Sequence, residues 1–265
     1  MPQHLTIGLF GFGSVGSGIY HTLKKKNISN ISIKKIVVKN PEKPRSVDFE
    51  NFSYHPEDIL KDNDINVVVE LIDDADAAFS IVKTALESGK HVISANKKML
   101  AEHLAELITL SQKKGVSLLY EAAVCGSIPI IRTLEESFGY DQFSSTKAIS
   151  NGTSNYVLTR LFQNPQPFEG IITDAQKHGF AESDPTLDID GWDSKFKLIL
   201  TNYHAFGILN RPEDILNLGI RHIKPEDIEF AKDNNYSLKL IGHSQLKDDK
   251  FEAYVAPQLI PKTAS

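Results

Sequence analysis

The feature that most constrains the fold lies near the start of the chain, where a strand pattern meets a helix pattern across a glycine-rich turn. Leu5–Phe10 is a short apolar run typical of a buried strand, and Ser14–Lys26 repeats apolar residues four apart, as on one helix face. Between them, residues 11–16 have the pattern Gly-x-Gly-x-x-Gly. This succession predicts the first strand, turn and helix of a parallel α/β sheet.

Each glycine of this turn has a separate physical role in such a position. Gly11 permits the tight turn, Gly13 lets the backbone approach a pyrophosphate, and Gly16 lets the helix pack closely on the strand. The free N–H groups of the helix N-terminus complete a phosphate site. The context favours dinucleotide binding, and the alternative is a glycine turn that serves packing alone.

The pattern of the first half repeats in the same rhythm up to about residue 129. Further strands are predicted at 31–38, 65–71, 91–95 and 116–120, with helices at 75–88 and 97–114. Strands that alternate with helices predict an α/β fold of the Rossmann type, with a doubly wound parallel sheet. We therefore expect residues 1–129 to form a dinucleotide-binding domain.

After residue 130 the predicted strands and helices no longer alternate regularly, which predicts a second domain of α+β type over residues 130–265. Helices are predicted at 130–138, 153–163, 169–178, 192–206 and 225–233. Strands are predicted at 146–150, and as a pair at 238–243 and 251–259.

Composition excludes several classes of function. The 265 residues carry a net charge of −5 without a basic stripe, which excludes a typical nucleic-acid binder. The single cysteine indicates a reducing compartment, and no apolar run is long enough to span a bilayer. The chain begins without a secretory signal pattern. We expect a cytoplasmic protein with a small-molecule partner.

Cations stand at the predicted carboxyl ends of the second and fourth strands, the edge where ligands bind in open parallel sheets. The acid that often holds the ribose of NAD is missing after the second strand, where Lys39 and Arg45 suit a 2′-phosphate. NADP is therefore slightly favoured over NAD. Lys97 can reach substrate or the nicotinamide ribose. The alternative is that all three are solvated loop or helix-start charges.

A carboxylate leaves the predicted fifth strand into a loop of small residues. Glu121 and the backbone carbonyls that follow it can bind a hard cation, since such ions take oxygen ligands. Cys125, in the same segment, can be a nucleophile with His178 as its base, or a small apolar filler. The residues alone leave these alternatives open.

Residues 179–197 hold an unusual density of charge directly before an apolar helix pattern, with five carboxylates and two lysines: Glu182, Asp184, Asp188, Asp190, Asp193, Lys195 and Lys197. Asp193 and Lys197 are four apart and fall on the flank of an apolar stripe that runs from Trp192 to Phe206. A surface pair of this kind is worth only about 0.3–0.5 kcal/mol. Fold stability is thus a poor reason for it, although an ordinary helix salt bridge is the alternative.

Five segments in this order resemble homoserine dehydrogenase: GFGSVGSG, SANKK, YEAAVCGSIPI, ISNGTSNYVL and DAQKHGFAESDPTLDIDGWDSKFKLIL. The resemblance implies oxidation of L-homoserine to L-aspartate 4-semialdehyde with NAD(P)⁺, or the reverse. The reverse is the biosynthetic direction, toward threonine, methionine and isoleucine. It also implies a homodimer, with residues 130–265 as the catalytic, substrate-binding and dimerisation domain.

The resemblance also implies roles for residues of the acidic stretch. Lys197 would be the acid/base lysine, with Asp193 beside it. Glu182 would bind the amino group of the substrate, with Asp188 nearby. Lys97 would be a second lysine of the site. Asp184, Asp190 and Lys195 are expected to be loop and surface charges.

Two further sets of residues follow from the resemblance. Direct contacts to the cofactor would come from the glycine turn, at Phe12, Gly13, Ser14 and Val15. A sodium site, present in some members of the family, would use the Glu121 side chain and the backbone of Val124, Gly126 and Ile128.

The chain departs from the family pattern mildly at Cys125 and Ser127, which replace small residues, and more clearly in two other places. Asp73 and Asp74 stand where many members have a glycine pair near the cofactor. Family members also continue beyond the point where this chain stops, so we expect a C-terminally truncated form. The competing hypotheses are a cofactor-binding remnant without turnover, and an aldehyde dehydrogenase that uses Cys125.

Overall fold

The computed structural model describes residues 4–45, 47, 50–163 and 167–262. The first three residues, on which the expectation of no secretory signal partly depends, lie outside the described residues. The chain divides into two compact units, Met1–Pro129 and Ile130–Ser265.

The first unit is built on a parallel sheet of six strands in the order β3-β2-β1-β4-β5-β6. Its strands are β1 (Leu5–Phe10), β2 (Ile31–Val37), β3 (Phe52–Ser53), β4 (Val67–Glu70), β5 (His91–Ser94) and β6 (Leu118–Leu119). The four residues of β4 are all buried, as expected for a strand covered on both faces. The sheet confirms the Rossmann-type prediction.

Five described helices connect these strands: α1 (Ser14–Lys26), α2 (Glu57–Leu60), α3 (Ala75–Glu87), α4 (Lys97–Lys114) and α5 (Glu121–Cys125). The bounds of α1 and α4 match the sequence prediction, because both have clear local signals. Asn96 caps the start of α4 by accepting from the N–H of Met99, and Gly115 ends the helix with φ +66°.

The second unit contains a four-stranded sheet in the order β7-β9-β10-β8. Its strands are β7 (Ser145–Ala148), β8 (Leu216–Asn217), β9 (Tyr236–Lys247) and β10 (Lys250–Pro261). β9 pairs antiparallel with β7 and β10, whereas β8 pairs parallel with β10. The predicted strand pair of 238–243 and 251–259 is thus present, as a longer hairpin.

Helices cover this sheet in an α+β arrangement: α6 (Ile130–Arg132), α7 (Gly152–Gln163), α8 (Phe168–Lys177), α9 (Thr186–Ile189), α10 (Trp192–Phe206) and α11 (Pro225–Asp233). A π-helical turn spans Thr133–Ser137 and a 3₁₀ turn spans Pro212–Asp214. No helix in the described part of the chain is long and apolar enough to cross a membrane.

Several predictions of local structure were wrong in detail. The helix expected at 130–138 is one α turn followed by the π-helical turn. The stripe expected from Trp192 to Phe206 is also displaced: Trp192 is 38% exposed, while Asp193, Ser194 and Lys195 are buried. The reason is tertiary, since α10 packs against β9 through residues such as Leu198, which lies against Gly242.

Candidate functional site

The first turn of α10 forms the centre of the candidate site in the second unit. Gly191 precedes it with φ +81°, a left-handed conformation that glycine adopts without strain. Lys197 Nζ lies 2.7 Å from Asp193 Oδ2, and the two side chains are 19% and 5% exposed. The pair was expected on the flank of the helix, and the structure buries the Asp193 carboxylate there while it leaves the Lys197 side chain partly exposed. An ion pair made by a buried carboxylate is weak evidence for stability, which favours a functional role for it.

The backbone carbonyl of Ser150 and the side chain of Asn151, both just before α7, hold this pair in place. Lys197 Nζ donates to the carbonyl oxygen of Ser150 at 2.8 Å. Asn151 Nδ2 donates to Asp193 Oδ2 at 2.9 Å and to Asp188 Oδ1 at 2.7 Å. Asn151 Oδ1 accepts from the N–H of Ser154 at 2.7 Å, which caps α7. The start of α7 therefore fixes both carboxylates relative to the lysine.

The cluster brings two carboxylates and an ammonium together. Asn151 bonds the carboxylates of Asp188 and Asp193, and Asp193 also pairs with the ammonium of Lys197. Neighbouring carboxylates suit a ligand that carries an ammonium group. The lysine, held by one carboxylate and one carbonyl, suits a proton transfer to or from a ligand oxygen.

Glu182 stands apart on the exposed loop before α9. The loop is anchored to α8 by Gln176 Nε2, which donates to the carbonyls of Glu182 at 3.0 Å and Ser183 at 3.2 Å. The backbone of Glu182 is thus held while its side chain stays in solvent. This arrangement keeps the carboxylate accessible to a ligand.

The remaining acids of the stretch have structural partners. Asp184 Oδ1 accepts from the N–H of Thr186 at 3.1 Å and from its hydroxyl, which orders the start of α9 and lowers the pKa of Asp184. Asp190 forms a two-point ion pair with Arg221, at 2.8 and 3.1 Å. These contacts agree with a structural role for both carboxylates.

The glycine turn of the first unit has the geometry of a phosphate site. A Cβ on Gly11 would lie 2.6 Å from the Leu71 carbonyl oxygen, and one on Gly16 would lie 2.4 Å from the Gly11 carbonyl oxygen. A Cβ on Gly13 would meet nothing within 4 Å. Gly11 and Gly16 are therefore required by the fold, whereas Gly13 borders open space at the N-terminus of α1, where a pyrophosphate fits.

The residues between these glycines differ in their surroundings. Ser14 and Val15 are exposed in the first turn of α1, Val15 by 57%. Phe12 packs edge-on against the rings of Tyr20 and Phe52, with centroids 5.9 and 5.3 Å away. Phe12 therefore has a packing role besides the cofactor contact expected of it.

The cations after β2 take two different environments. Lys39 is exposed. Arg45 folds back on its own loop, where it donates to the carbonyls of Asn40 and Lys43 and stacks over Phe52 with 5.3 Å between guanidinium carbon and ring centroid. The structure thus leaves Lys39 open to a ligand and uses Arg45 to order the loop.

Lys97 is the first residue of α4, half-buried, at the carboxyl end of β5. The helix start is tied to the neighbouring loop by Asn96, whose Nδ2 donates to the Ile72 carbonyl at 3.1 Å. Asp74, one of the two acids in place of glycines, caps α3 by accepting from the N–H of Ala77 at 3.0 Å. The substitution thus has a local structural reason.

The segment after β6 was expected to be a loop, but residues 121–125 form α5. Glu121 opens this helix, Val124 is buried within it, and Gly126 ends it with φ +60°. Ile128 is 65% exposed. Within the described residues, no group of three or more His, Cys, Asp and Glu side chains could hold a metal ion. A cation here would depend on backbone carbonyls.

Cys125 is half-buried as the last residue of α5. His178, its candidate base, is exposed in the second unit, with Nδ1 2.8 Å from the carbonyl oxygen of Asp174. Neither environment singles out a nucleophile and base.

Sequence reasoning missed Ser150 and Asn151 as parts of the site. Asn151 stands two residues before the helix predicted at 153–163 and directly before the start of α7 at Gly152, a position where asparagine is favoured as a cap. That signal was available, but its bonds to Asp188 and Asp193 reach across 37 and 42 residues. No local pattern reports contacts at that separation.

Asn151→Ala should lower the free energy of unfolding by about 2–4 kcal/mol, because it removes a helix cap and two bonds to carboxylates. It should also lower kcat by at least about tenfold, since Asp193 loses the hydrogen bond that Asn151 donates to it. Urea unfolding of the variant measures the first effect. Asn234→Ala, at an exposed helix end, is the matched control, and equal stabilities of the two variants would contradict the account.

Lys195 was expected to be a surface charge, and this was wrong. Its side chain is buried, with Nζ 4.8 Å from the ring centroid of Trp192. Burial lowers the pKa of Lys195 from its usual 10.5, an effect that Glu213 partly opposes. The charged form is therefore penalised in the folded protein at neutral pH.

Lys195→Met should raise the free energy of unfolding at neutral pH by about 1 kcal/mol, the gain from removing a buried charge less the lost cation–π contact. The gain should shrink as pH rises from the lowered folded pKa toward 10.5, because wild-type Lys195 then loses its charge on folding. Unfolding curves across this pH range measure it. A gain that grows with pH would refute the assignment.

Comparison with known proteins gives two matching families of domain. The model of homoserine dehydrogenase matches residues 129–265, and that of the homoserine dehydrogenase NAD binding domain matches residues 11–121. The homoserine dehydrogenase of Helicobacter pylori is 39% identical over 267 residues, which cover 98% of this chain and 63% of that protein. That of Bacillus subtilis is 36% identical, over 97% of this chain and 61% of its own length.

A solved structure gives the same result. The homoserine dehydrogenase of Thiobacillus denitrificans superimposes with a TM-score of 0.93 at 33% identity, covering 98% of this chain and 62% of that one. The chain thus spans about three fifths of the length of the curated relatives it matches, 61% for the Bacillus subtilis protein.

Proposed function

Because the chain belongs to the homoserine dehydrogenase family, we propose that it interconverts L-homoserine and L-aspartate 4-semialdehyde with a nicotinamide dinucleotide. The observation that carries the proposal is the Asp193–Lys197 pair, in which the carboxylate is buried and which Ser150 and Asn151 anchor. In the biosynthetic direction the reaction reduces the aldehyde toward threonine, methionine and isoleucine.

The first unit fits a dinucleotide. A Cβ on Gly13 would meet no atom within 4 Å, so the backbone at the N-terminus of α1 is open to the approach of a pyrophosphate. When bound, the oxidised dinucleotide accepts a hydride from C4 of homoserine, and the reduced form returns it to the aldehyde carbon. Phe12, Ser14 and Val15 are the proposed neighbours of the cofactor, together with Lys97 at the start of α4.

The proton step is assigned to Lys197. During reduction its ammonium donates a proton to the oxygen of the aldehyde, and during oxidation its neutral amine takes the proton of the homoserine hydroxyl. Asp193 stabilises the ammonium, and the Ser150 carbonyl fixes its direction. Oxidation of the homoserine hydroxyl releases a proton overall, so the reaction in this direction should be favoured as pH rises.

Recognition of the amino acid is assigned to carboxylates. Asp188 is held by Asn151, and Glu182 lies exposed on an anchored loop. Both can bind the ammonium of homoserine through charge-assisted hydrogen bonds. This arrangement would discriminate against an alcohol of the same length that lacks the amino group.

NADP is slightly favoured over NAD in this proposal. Support comes from the residues after β2, where exposed Lys39 stands and no acid follows the strand before Glu42. Arg45 contributes by ordering that loop. A cation at this position attracts a 2′-phosphate, whereas an acid would hold the free ribose hydroxyl.

A sodium site and a homodimer complete the proposal. The sodium ligands would be Glu121 and the backbone of Val124, Gly126 and Ile128, an oxygen set that suits a hard cation. The dimer would form through the sheet of the second unit, where Leu216 and Leu218 are 60% and 52% exposed. Sedimentation of the chain measures its oligomeric state, and thermal unfolding in sodium chloride against choline chloride of equal ionic strength tests the cation.

The test is a steady-state assay of the full chain with L-homoserine and either NADP⁺ or NAD⁺. We expect homoserine-dependent formation of reduced nicotinamide, faster at higher pH, with kcat/KM higher for NADP⁺. 4-Hydroxybutanoate, which lacks the amino group, is the matched control and should react far more slowly. Absence of homoserine-dependent reduction with both dinucleotides would overturn the proposal.

A further inference from the structure

A second buried carboxylate, outside the acidic stretch, lies at the ligand-binding edge of the first unit. Glu70 ends β4 and is 0% exposed. Its Oε1 accepts from the N–H of Ile72 at 2.7 Å, and its Oε2 accepts from the hydroxyl of Ser94 at 2.5 Å. Burial raises the pKa of this carboxyl, although both hydrogen bonds favour its ionised form.

On one side Glu70 is linked to the start of α4 through the hydroxyl of Ser94. The Ser94 hydroxyl that donates to Glu70 accepts from the N–H of Asn96 at 3.2 Å. Asn96 in turn bonds the Ile72 carbonyl at 3.1 Å and caps α4. The loop after β4 and the turn before Lys97 are therefore joined into one unit, with the Glu70 carboxylate at its centre.

On the other side the same loop supports the glycine turn. Leu71, next to Glu70, donates its N–H to the Phe10 carbonyl at 2.9 Å. A Cβ on Gly11 would come within 2.6 Å of the Leu71 carbonyl oxygen and 3.3 Å of Ile72 Cγ2. A shift of residues 71 and 72 would therefore displace the glycine turn.

These contacts place Glu70 between the two parts of a dinucleotide site. In folds of this topology the pyrophosphate lies at the turn after β1 and the adenosine ribose lies at the end of β2. The nicotinamide half must then lie on the opposite side, over the ends of β4 and β5. Glu70 joins those two strand ends beneath that position.

We propose that Glu70 is a positioning residue, which sets the loop after β4 and the start of α4 at the correct distance from the glycine turn for the nicotinamide half of the cofactor. The inference rests on the proposed use of a nicotinamide dinucleotide. Stability alone does not explain the residue, because an apolar side chain avoids the cost of burying a carboxylate.

The test compares the affinities of Glu70→Gln for NADPH and for 2′-phospho-ADP-ribose, which lacks nicotinamide, by calorimetric titration of the full chain. Glutamine keeps the size and accepts from Ile72, but its amide N–H₂ faces the Ser94 hydroxyl in place of an acceptor. We expect NADPH to bind about tenfold more weakly, a loss of about 1.4 kcal/mol, and phospho-ADP-ribose to bind within about twofold of wild type.

Controls separate positioning from general destabilisation. Glu106→Gln, on the exposed face of α4 where Glu106 pairs with Lys83 at 2.7 Å, removes a carboxylate and should change neither affinity. Ser94→Ala removes the link between Glu70 and α4 but keeps the bond from Ile72 to Glu70. It should lower the affinity for NADPH by about threefold and leave the affinity for phospho-ADP-ribose unchanged. If Glu70→Gln does not fold, Ser94→Ala takes its place as the test variant.

The outcomes are distinguishable. Equal loss of both ligands in Glu70→Gln or Ser94→Ala would indicate a merely structural role, and unchanged NADPH affinity would also overturn the inference. If the wild-type protein binds neither ligand, the proposed function and the inference about Glu70 both fail. If wild type binds NADPH, the proposed cofactor stands whatever the variants show.

Discussion

Lys197→Ala should lower kcat by about 100- to 10,000-fold in both directions, the usual contribution of a positioned acid or base. The affinity for the dinucleotide should stay within about twofold, because the glycine turn belongs to the other unit. The variant leaves Asp193, whose side chain is 5% exposed, without its ammonium partner. We therefore expect a loss of stability of about 3 kcal/mol, and the assay should be run where the protein is folded.

Lys197→Arg separates charge from proton transfer. A guanidinium preserves the positive charge beside Asp193, but it does not release a proton in the pH range of the assay. This variant should fold better than Lys197→Ala and remain nearly as slow. Lys195→Met, two residues away on the same helix, should retain turnover. Wild-type kcat in Lys197→Arg would show that the lysine supplies charge alone.

Gly13→Ala should weaken dinucleotide binding by at least about tenfold, or about 1.4 kcal/mol, without loss of stability. The added methyl group meets no protein atom within 4 Å, and the φ of −82° at Gly13 suits any L-residue. The methyl group would instead occupy the space proposed for the pyrophosphate. Calorimetric titration with NADPH and thermal unfolding measure the two effects.

Gly18→Ala is the matched control for this experiment. Gly18 lies in the same helix, and a Cβ there also meets nothing within 4 Å. It should bind NADPH as wild type does and gain up to about 1 kcal/mol of stability, because alanine is the better helix former. Equal affinities of the two variants would place the phosphates elsewhere.

The sequence was most informative where the determinants of structure are local. Hydrophobic periodicity and the residues that typically begin or end helices predicted the observed bounds of five elements: β1, α1, α4, α10 and α11. Gly115 shows why: a helix pattern that meets a glycine able to take φ +66° ends there, regardless of what packs around it. Alternating strands and helices also predicted the parallel sheet, whereas β3, only two residues long, was missed and the strand order was not predicted.

The sequence was less informative where the determinants are distant. The apolar stripe of α10 placed Trp192 in the core, yet Lys195 is buried and Trp192 is the more exposed, because β9 selects the covered face. α9 was missed since four residues give too little periodicity to detect. Asn151 and Glu70 entered the account only through bonds to residues far along the chain.

The central claim is that Lys197 moves the proton that accompanies hydride transfer. Its most direct test is a single turnover in which the enzyme with bound NADPH is mixed with L-aspartate 4-semialdehyde, and the absorbance of reduced nicotinamide is followed. We predict that wild type and Lys195→Met lose this absorbance rapidly, and that Lys197→Ala and Lys197→Arg do so at least about 100-fold more slowly. Oxidation of NADPH at the wild-type rate in both Lys197 variants would contradict the account.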